Sequence, residues 1–240
     1  MQNPNQPFNQ SNPFDTSSAS VPVAQASGEV RLEFLRKTYS LFLAGIICSM
    51  LVGALTLRTP ALMSAAFAVL TNPLIALVLI VGGSFGARAV SRIEGVNYAA
   101  LFGFTGMLGW IITPLLYIYE ARQPGIVTQA ALMTSLTFGA LTAYVFISRK
   151  DFNFLGGMLF VGIVGLVLGG LVNMLFFRSL DASYFMAWFT LLLFSGFVLY
   201  DTSNIMNRTD SRGYCSAALE LYLDFFNMFL AILRILGGRR

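Results

Sequence analysis

Three acidic residues stand where chemistry, rather than solvation, is the natural reading. Asp201 lies in FVLYDTSNIM, and Glu220 and Asp224 lie in ALELYLDFFNMF. The chain has 11 carboxylates, and the other eight fall in the amino-terminal tail, in polar connectors or at the ends of apolar runs. A charge inside an apolar helix costs a few kcal/mol, so it marks a functional candidate. The polar connector between the two segments is centred near Arg212 and Gly213, and Asp201 and Asp224 are almost equidistant from it. An antiparallel helical hairpin therefore brings both aspartates to one depth, about 10 Å inside the boundary for seven residues at 1.5 Å each. Two carboxyl groups at one depth can share a proton and titrate as a coupled unit. The plainer reading is that each aspartate caps a helix or pairs with a loop arginine. Glu220 precedes Asp224 by four residues and shares its helix face, nearer the boundary. Asn227 extends the polar stripe inward, and Arg234 reaches the far interface.

The residue types limit the chemistry further. There is no histidine, which removes the side chain that titrates nearest neutrality and the commonest metal ligand. Proton chemistry falls to the carboxylates, and a pH sensor narrows to Asp201 and Asp224. Calcium takes six to eight hard oxygens. Asp201 and Asp224 would hold it weakly, with carbonyls, waters, Glu220 or Asn227 completing the set. No Ser/His or Cys/His machinery can be built and no phosphate-cradling loop appears, so no enzyme activity and no cofactor are expected. An intramembrane aspartyl protease would also use two aspartates, but its G-x-G-D context is absent. Cys48 and Cys215 have neither metal-ligand nor disulfide-framework spacing.

These side chains need elements to hold them. Of the 240 residues, 56% are apolar and 11% charged, and the mean hydropathy is +0.72. A soluble domain carries roughly 25% charged residues, so a soluble enzyme and a nucleic-acid-binding domain are excluded. The 15 basic residues form no basic face. Residues 1–28, rich in Asn, Gln, Ser and Pro, read as a disordered tail rather than a signal peptide. Residues 29–240 read as one all-α membrane domain, since backbone groups in lipid must bond internally and the alternation of a barrel is absent. Seven spans are expected, at 38–57, 73–90, 97–118, 127–147, 154–177, 182–205 and 216–236, each near the length a bilayer needs. Pro60 and Pro73 bracket a short interfacial helix over 61–72. Gly45, Ser49 and Gly53 on the first span, and the step Gly165 to Gly169, predict close helix contacts.

Connector charge sets an expected orientation. Arg31, Arg36, Lys37, Arg88, Arg92, Arg149, Lys150, Arg208 and Arg212 lie on one side, against Arg58, Arg122 and Arg178 on the other. The amino terminus is expected in the cytoplasm, although seven crossings then place the basic Gly237-Gly238-Arg239-Arg240 end outside.

The segments FSGFVLYDTSNIMNR and ELYLDFFNMFLAILRILGG resemble the last two spans of the Bax inhibitor-1 family of membrane proteins, and LTFGALTAYVFISRKDFNFLGG resembles its middle spans. The likeness covers roughly residues 30–240 and is specific in the last 45. It implies a seven-helix fold with the seventh helix central and six around it. It also implies a pH-sensitive calcium leak with the aspartate pair, here Asp201 and Asp224, as sensor. A basic residue at the cytoplasmic end of span two latches that pair in the family's closed form, and the matching residues are Arg88 and Arg92, with Arg88 lying deeper. Bacterial relatives sit in the cytoplasmic (inner) membrane, and some members are linked to protease regulation. The expected partners are therefore the lipid bilayer and calcium ions. The alternative is a non-transporting regulator that binds a membrane protease or other membrane protein.

Overall fold

The computed structural model describes residues 22–238 except 92, 94, 178, 211 and 212. Every regular element among them is helical. We number the α-helices α1 (Gly28–Arg58), α2 (Pro60–Leu70), α3 (Pro73–Val90), α4 (Val96–Arg122), α5 (Ile126–Ser148), α6 (Gly156–Val172), α7 (Leu180–Asn207) and α8 (Tyr214–Gly237). Short helical turns at Val23–Gln25, Asn153–Leu155 and Asn173–Phe177 complete the order.

Five segments are long and apolar enough to cross a membrane: α1, α4, α5, residues 153–177 and residues 181–207. Residues 60–70 and 74–90 make a sixth when counted as one span bent by 98°. Pro60 opens α2 and Pro73 opens α3, where a missing N–H is tolerated, so the chain turns between them. The short helix expected over 61–72 is present as α2. It packs on α4, where the Trp110 indole donates to the Leu62 carbonyl at 3.0 Å. α8, which carries Glu220, Asp224 and Arg234 within its 24 residues, is not among these segments.

Helix directions follow from register. Gly45, Ser49 and Gly53 face Thr105, Gly109 and Thr113, a constant offset of 60, so α1 and α4 run parallel. Gly162 faces Leu193 and Gly196 faces Leu159, so α6 and α7 run antiparallel. The three-residue turn between α4 and α5 reverses the chain. There Gly125 adopts φ +85°, a conformation that favours glycine, and its N–H donates to Glu120 Oε1 at 2.6 Å. The small-residue stripe of the first span thus forms the expected close contact. The Gly165–Gly169 step does not: Gly165 has nothing within 4 Å and Gly169 only the Met186 methyl at 3.9 Å. Leu159, Gly162 and Gly196 make the α6–α7 seam instead, which leaves Gly165 on the outward face.

α8 carries the largest share of buried residues, eleven of its 24, from Cys215 to Leu233, against eleven of 27 on α4. It packs against α7, α1, α5 and α4, whereas α3 rests mainly on α4 and α6 mainly on α7. Direct packing around α8 is therefore by four helices rather than six. α1 begins ten residues before the expected span, stabilised at its exposed start by a Glu33–Lys37 pair at 2.7 Å one turn apart. Ahead of it Val23 is fully buried, its N–H donating to the Thr209 carbonyl at 2.9 Å, and Pro22 bridges to Asp210. Residues 22–26 thus lie across the α7–α8 connector, inside a stretch the composition assigns to the tail. The remainder of that tail, 1–21, lies outside the described residues.

Candidate functional site

Asp201 and Asp224 meet. α7 and α8 pack as the antiparallel hairpin that the sequence spacing anticipates, and the two carboxyl groups act directly on each other. Their residues are 8% and 3% exposed. Two carboxyl groups hydrogen-bond to each other only when one carries a proton. The hairpin is not symmetric. Asp201 is six residues from the end of α7 and Asp224 ten from the start of α8, about 9 and 15 Å at 1.5 Å per residue. α8 therefore projects about one turn further than α7 at this end, which the equal spacing about the connector does not reveal.

Of the other residues singled out by sequence, Glu220 is half-buried and acts electrostatically on both aspartates. Arg88, exposed near the end of α3, also acts on both, at longer range than a direct ion pair. Arg92 lies outside the described residues. Asn227 is half-buried and its amide donates to the Leu223 carbonyl of its own helix at 2.8 Å. Arg234 is exposed in the last turn of α8. Cys48 and Cys215 are free thiols.

Two features next to the pair carry no distinguishing sequence signal. The first is a ring cluster. Phe42 of α1 stacks on Phe138 of α5 with centroids 5.1 Å apart, and Phe225 of α8 meets both edge-on at 5.8 and 5.6 Å. Such geometries are favoured by the ring quadrupoles. With 22 phenylalanines in the chain, no pattern selects these three, although Phe225 adjoins Asp224. The second is a hydroxyl junction. Ser49 Oγ and Tyr222 OH are 2.6 Å apart, and Ser49 also donates to the Thr105 carbonyl at 2.8 Å. This ties α1, α4 and α8 together two residues from Asp224. The G-x-x-x-S-x-x-x-G stripe gave the close approach but not the tyrosine.

The buried side-chain oxygens without a protein partner belong to Thr38, Tyr39, Thr142, Ser148, Thr202, Asn204 and Asp224, among the described residues. All lie toward the same end of the bundle as the pair. Buried polar groups are nearly always hydrogen-bonded, so this end is chemically suited to water or a hydrated cation. No group of three or more Asp, Glu, Cys or His side chains converges among the described residues. Two carboxylates and scattered hydroxyls fall short of the oxygen set that holds calcium tightly.

Outside the bundle, Asp151 and Arg208 pair at 3.0 Å and join the α5–α6 connector to the end of α7. Asp151 Oδ1 also accepts from the Asn153 N–H at 2.9 Å. These two contacts, the backbone bond foremost, hold the Asp151 carboxyl below the usual carboxylate range. Ser203 Oγ accepts from the Phe152 N–H at 3.1 Å, a second anchor of the same connector.

Known proteins are similar to this chain in sequence. The family model described as "Inhibitor of apoptosis-promoting Bax1" matches residues 31–240. Bax inhibitor 1 of Schizosaccharomyces pombe is 34% identical over 228 residues, covering 93% of this chain and 83% of that protein. Protein lifeguard 4 of Mus musculus is 35% identical over 217 residues, covering 89% and 88%. The modulator of FtsH protease YccA of Escherichia coli is 36% identical over 191 residues, covering 77% and 85%. The aspartate hairpin, the apolar helices and these matches together place the chain in the Bax inhibitor-1 family of integral membrane proteins.

Proposed function

We propose that this protein is a pH-sensitive calcium leak of the cytoplasmic (inner) membrane, with its amino terminus in the cytoplasm and Asp201 and Asp224 as the sensor. The observation that carries the reading is the contact between two buried carboxyl groups from neighbouring helices. When the pair loses its shared proton, two like charges face each other at low dielectric, and a cation becomes the cheapest relief. Arg88 is a cation that acts on both. It closes the path by moving in to bridge the charged pair, and protonation releases it. The same protonation weakens attraction for calcium, so the leak is small and works through transient rather than tight binding. The test is calcium efflux from proteoliposomes at graded pH. Wild type should leak more at acid pH than at neutral pH, and Asp201→Asn should flatten that dependence. A calcium-tight wild-type vesicle at every pH would refute the reading.

A second reading rests on YccA, which is named as a modulator of FtsH protease. On that reading the chain binds a membrane protease and moves no ions. A protease co-purifying with the protein, alongside calcium-tight vesicles, would favour it.

A further inference from the structure

A cavity of about 570 Å³ lies on the far side of the ring cluster from the hydroxyls that lack partners, among α1, α4, α5 and α8. Its deep end is the Ser49–Tyr222 hydroxyl junction and its outer end is Glu120. Phe42 and Phe138 close α1 onto α5 at one end, but beyond them the two helices part. Met50 and Ala54 of α1, and Ser135 of α5, line the cavity and are exposed. In a membrane such an opening faces hydrocarbon. The cavity runs from Ile46 to Leu57 along α1 and from Gly109 to Glu120 along α4, about 16 Å on each at 1.5 Å per residue. One leaflet contributes about 15 Å of hydrocarbon, so the cavity is one leaflet long. Its volume lies within the range of sites that hold a discrete ligand.

The polar end fits as well. The α1–α4 register sets Arg58 beside Ile118, one turn short of Arg122, so two basic residues stand at headgroup level. Glu120 does not oppose an anion there unaided, because its carboxylate accepts from the Gly125 and Val127 N–H groups at the start of α5, at 2.6 and 3.2 Å. We propose that this cavity is a phospholipid site, with an acyl chain in the cleft between α1 and α5 and its phosphate at Arg58 and Arg122. The lipid tail lies against Phe225, Phe226 and Phe229 of α8 and completes the wall that protein leaves open. The site is independent of the calcium reading.

Native mass spectrometry of the full chain in detergent micelles tests it, with dioleoyl phosphatidylglycerol and oleate supplied in equal amounts. One phospholipid should remain per chain under activation that strips the detergent. Ala131→Trp and Ala54→Trp, on the two facing walls, should each lower the retained fraction at least about tenfold, equivalent to about 1.4 kcal/mol. Ala54 is exposed, so that variant keeps the test valid if Ala131→Trp does not fold. Val161→Trp, on the outward surface of α6 and 69% exposed, should change nothing. No retained phospholipid, retention unaltered in both cleft variants, or oleate held as well as phospholipid would each overturn the proposal.

Discussion

Gly109 should be among the least replaceable residues in the chain. A Cβ placed there stands 2.7 Å from Ser49 Cα and 2.9 Å from its carbonyl carbon, whereas ordinary contact begins near 3.4 Å. The Ser49 carbonyl oxygen is nearer still; all three neighbours are backbone, so no rotamer change relieves the clash, and α1 must retreat by at least about 0.7 Å at Ser49. That displacement stretches the Ser49–Thr105 bond from 2.8 Å to about 3.5 Å, at the limit of a hydrogen bond. It also strains the 2.6 Å Ser49–Tyr222 contact. Overpacking costs about 1–3 kcal/mol, and interhelical hydrogen bonds within membranes contribute about 0.6 kcal/mol each. The total for Gly109→Ala is about 2–4 kcal/mol, a fall in Tm of at least about 4 °C for a chain of this size. Thermal unfolding in detergent, followed by thiol reactivity of Cys48 and Cys215, measures it. Gly165→Ala is the control and should melt within about 1 °C of wild type, since nothing lies within 4 Å of Gly165. Equal losses in the two variants, or none in Gly109→Ala, would refute the packing argument.

Further outcomes are expected. Arg88→Gln should raise calcium leak at neutral pH toward its acid level without lowering Tm, since Arg88 is exposed; a neutral-pH leak equal to wild type would remove Arg88 as the latch. The Asp151 carboxyl is held low by the Asn153 N–H and then by Arg208, so its anchoring is present above the ordinary carboxylate range and is lost only as pH falls through the lowered value. Amide protection over 149–155, with exchange corrected for its intrinsic pH dependence, should accordingly hold between about pH 7 and 5 and fall in stronger acid; a loss of protection within that window would contradict it. Val23→Asp buries an unpaired charge at a fully buried position, so residues 22–26 should detach and become cleavable by added protease; cleavage unchanged from wild type would show that they are held otherwise.

How much of this was legible in the sequence depends on the kind of interaction. The Asp201–Asp224 pair was, because two charges equally spaced about one connector can meet only in a hairpin. The Gly45–Ser49–Gly53 contact was, because small residues one turn apart have little use in lipid except close approach. The Gly165–Gly169 step has the same pattern and no partner, since which face of α6 packs is decided by Leu159 and Leu193 rather than by the glycines. The apolar run at 216–236 locates α8 within two residues at its start and one at its end, despite the charges it carries. The Phe42–Phe138–Phe225 cluster and the burial of Val23 are products of tertiary packing alone. No local period marks one phenylalanine among 22 or one valine at the edge of a polar tail.

The central claim is that Asp201 and Asp224 act as one titrating unit that sets the leak. A double-mutant cycle of calcium efflux against pH, comparing wild type, Asp201→Asn, Asp224→Asn and the double variant in matched proteoliposomes, tests it directly. A coupled pair predicts that either single change abolishes the pH response and that the second adds nothing further. Independent, additive effects, or a pH response that survives in the double variant, would contradict the account.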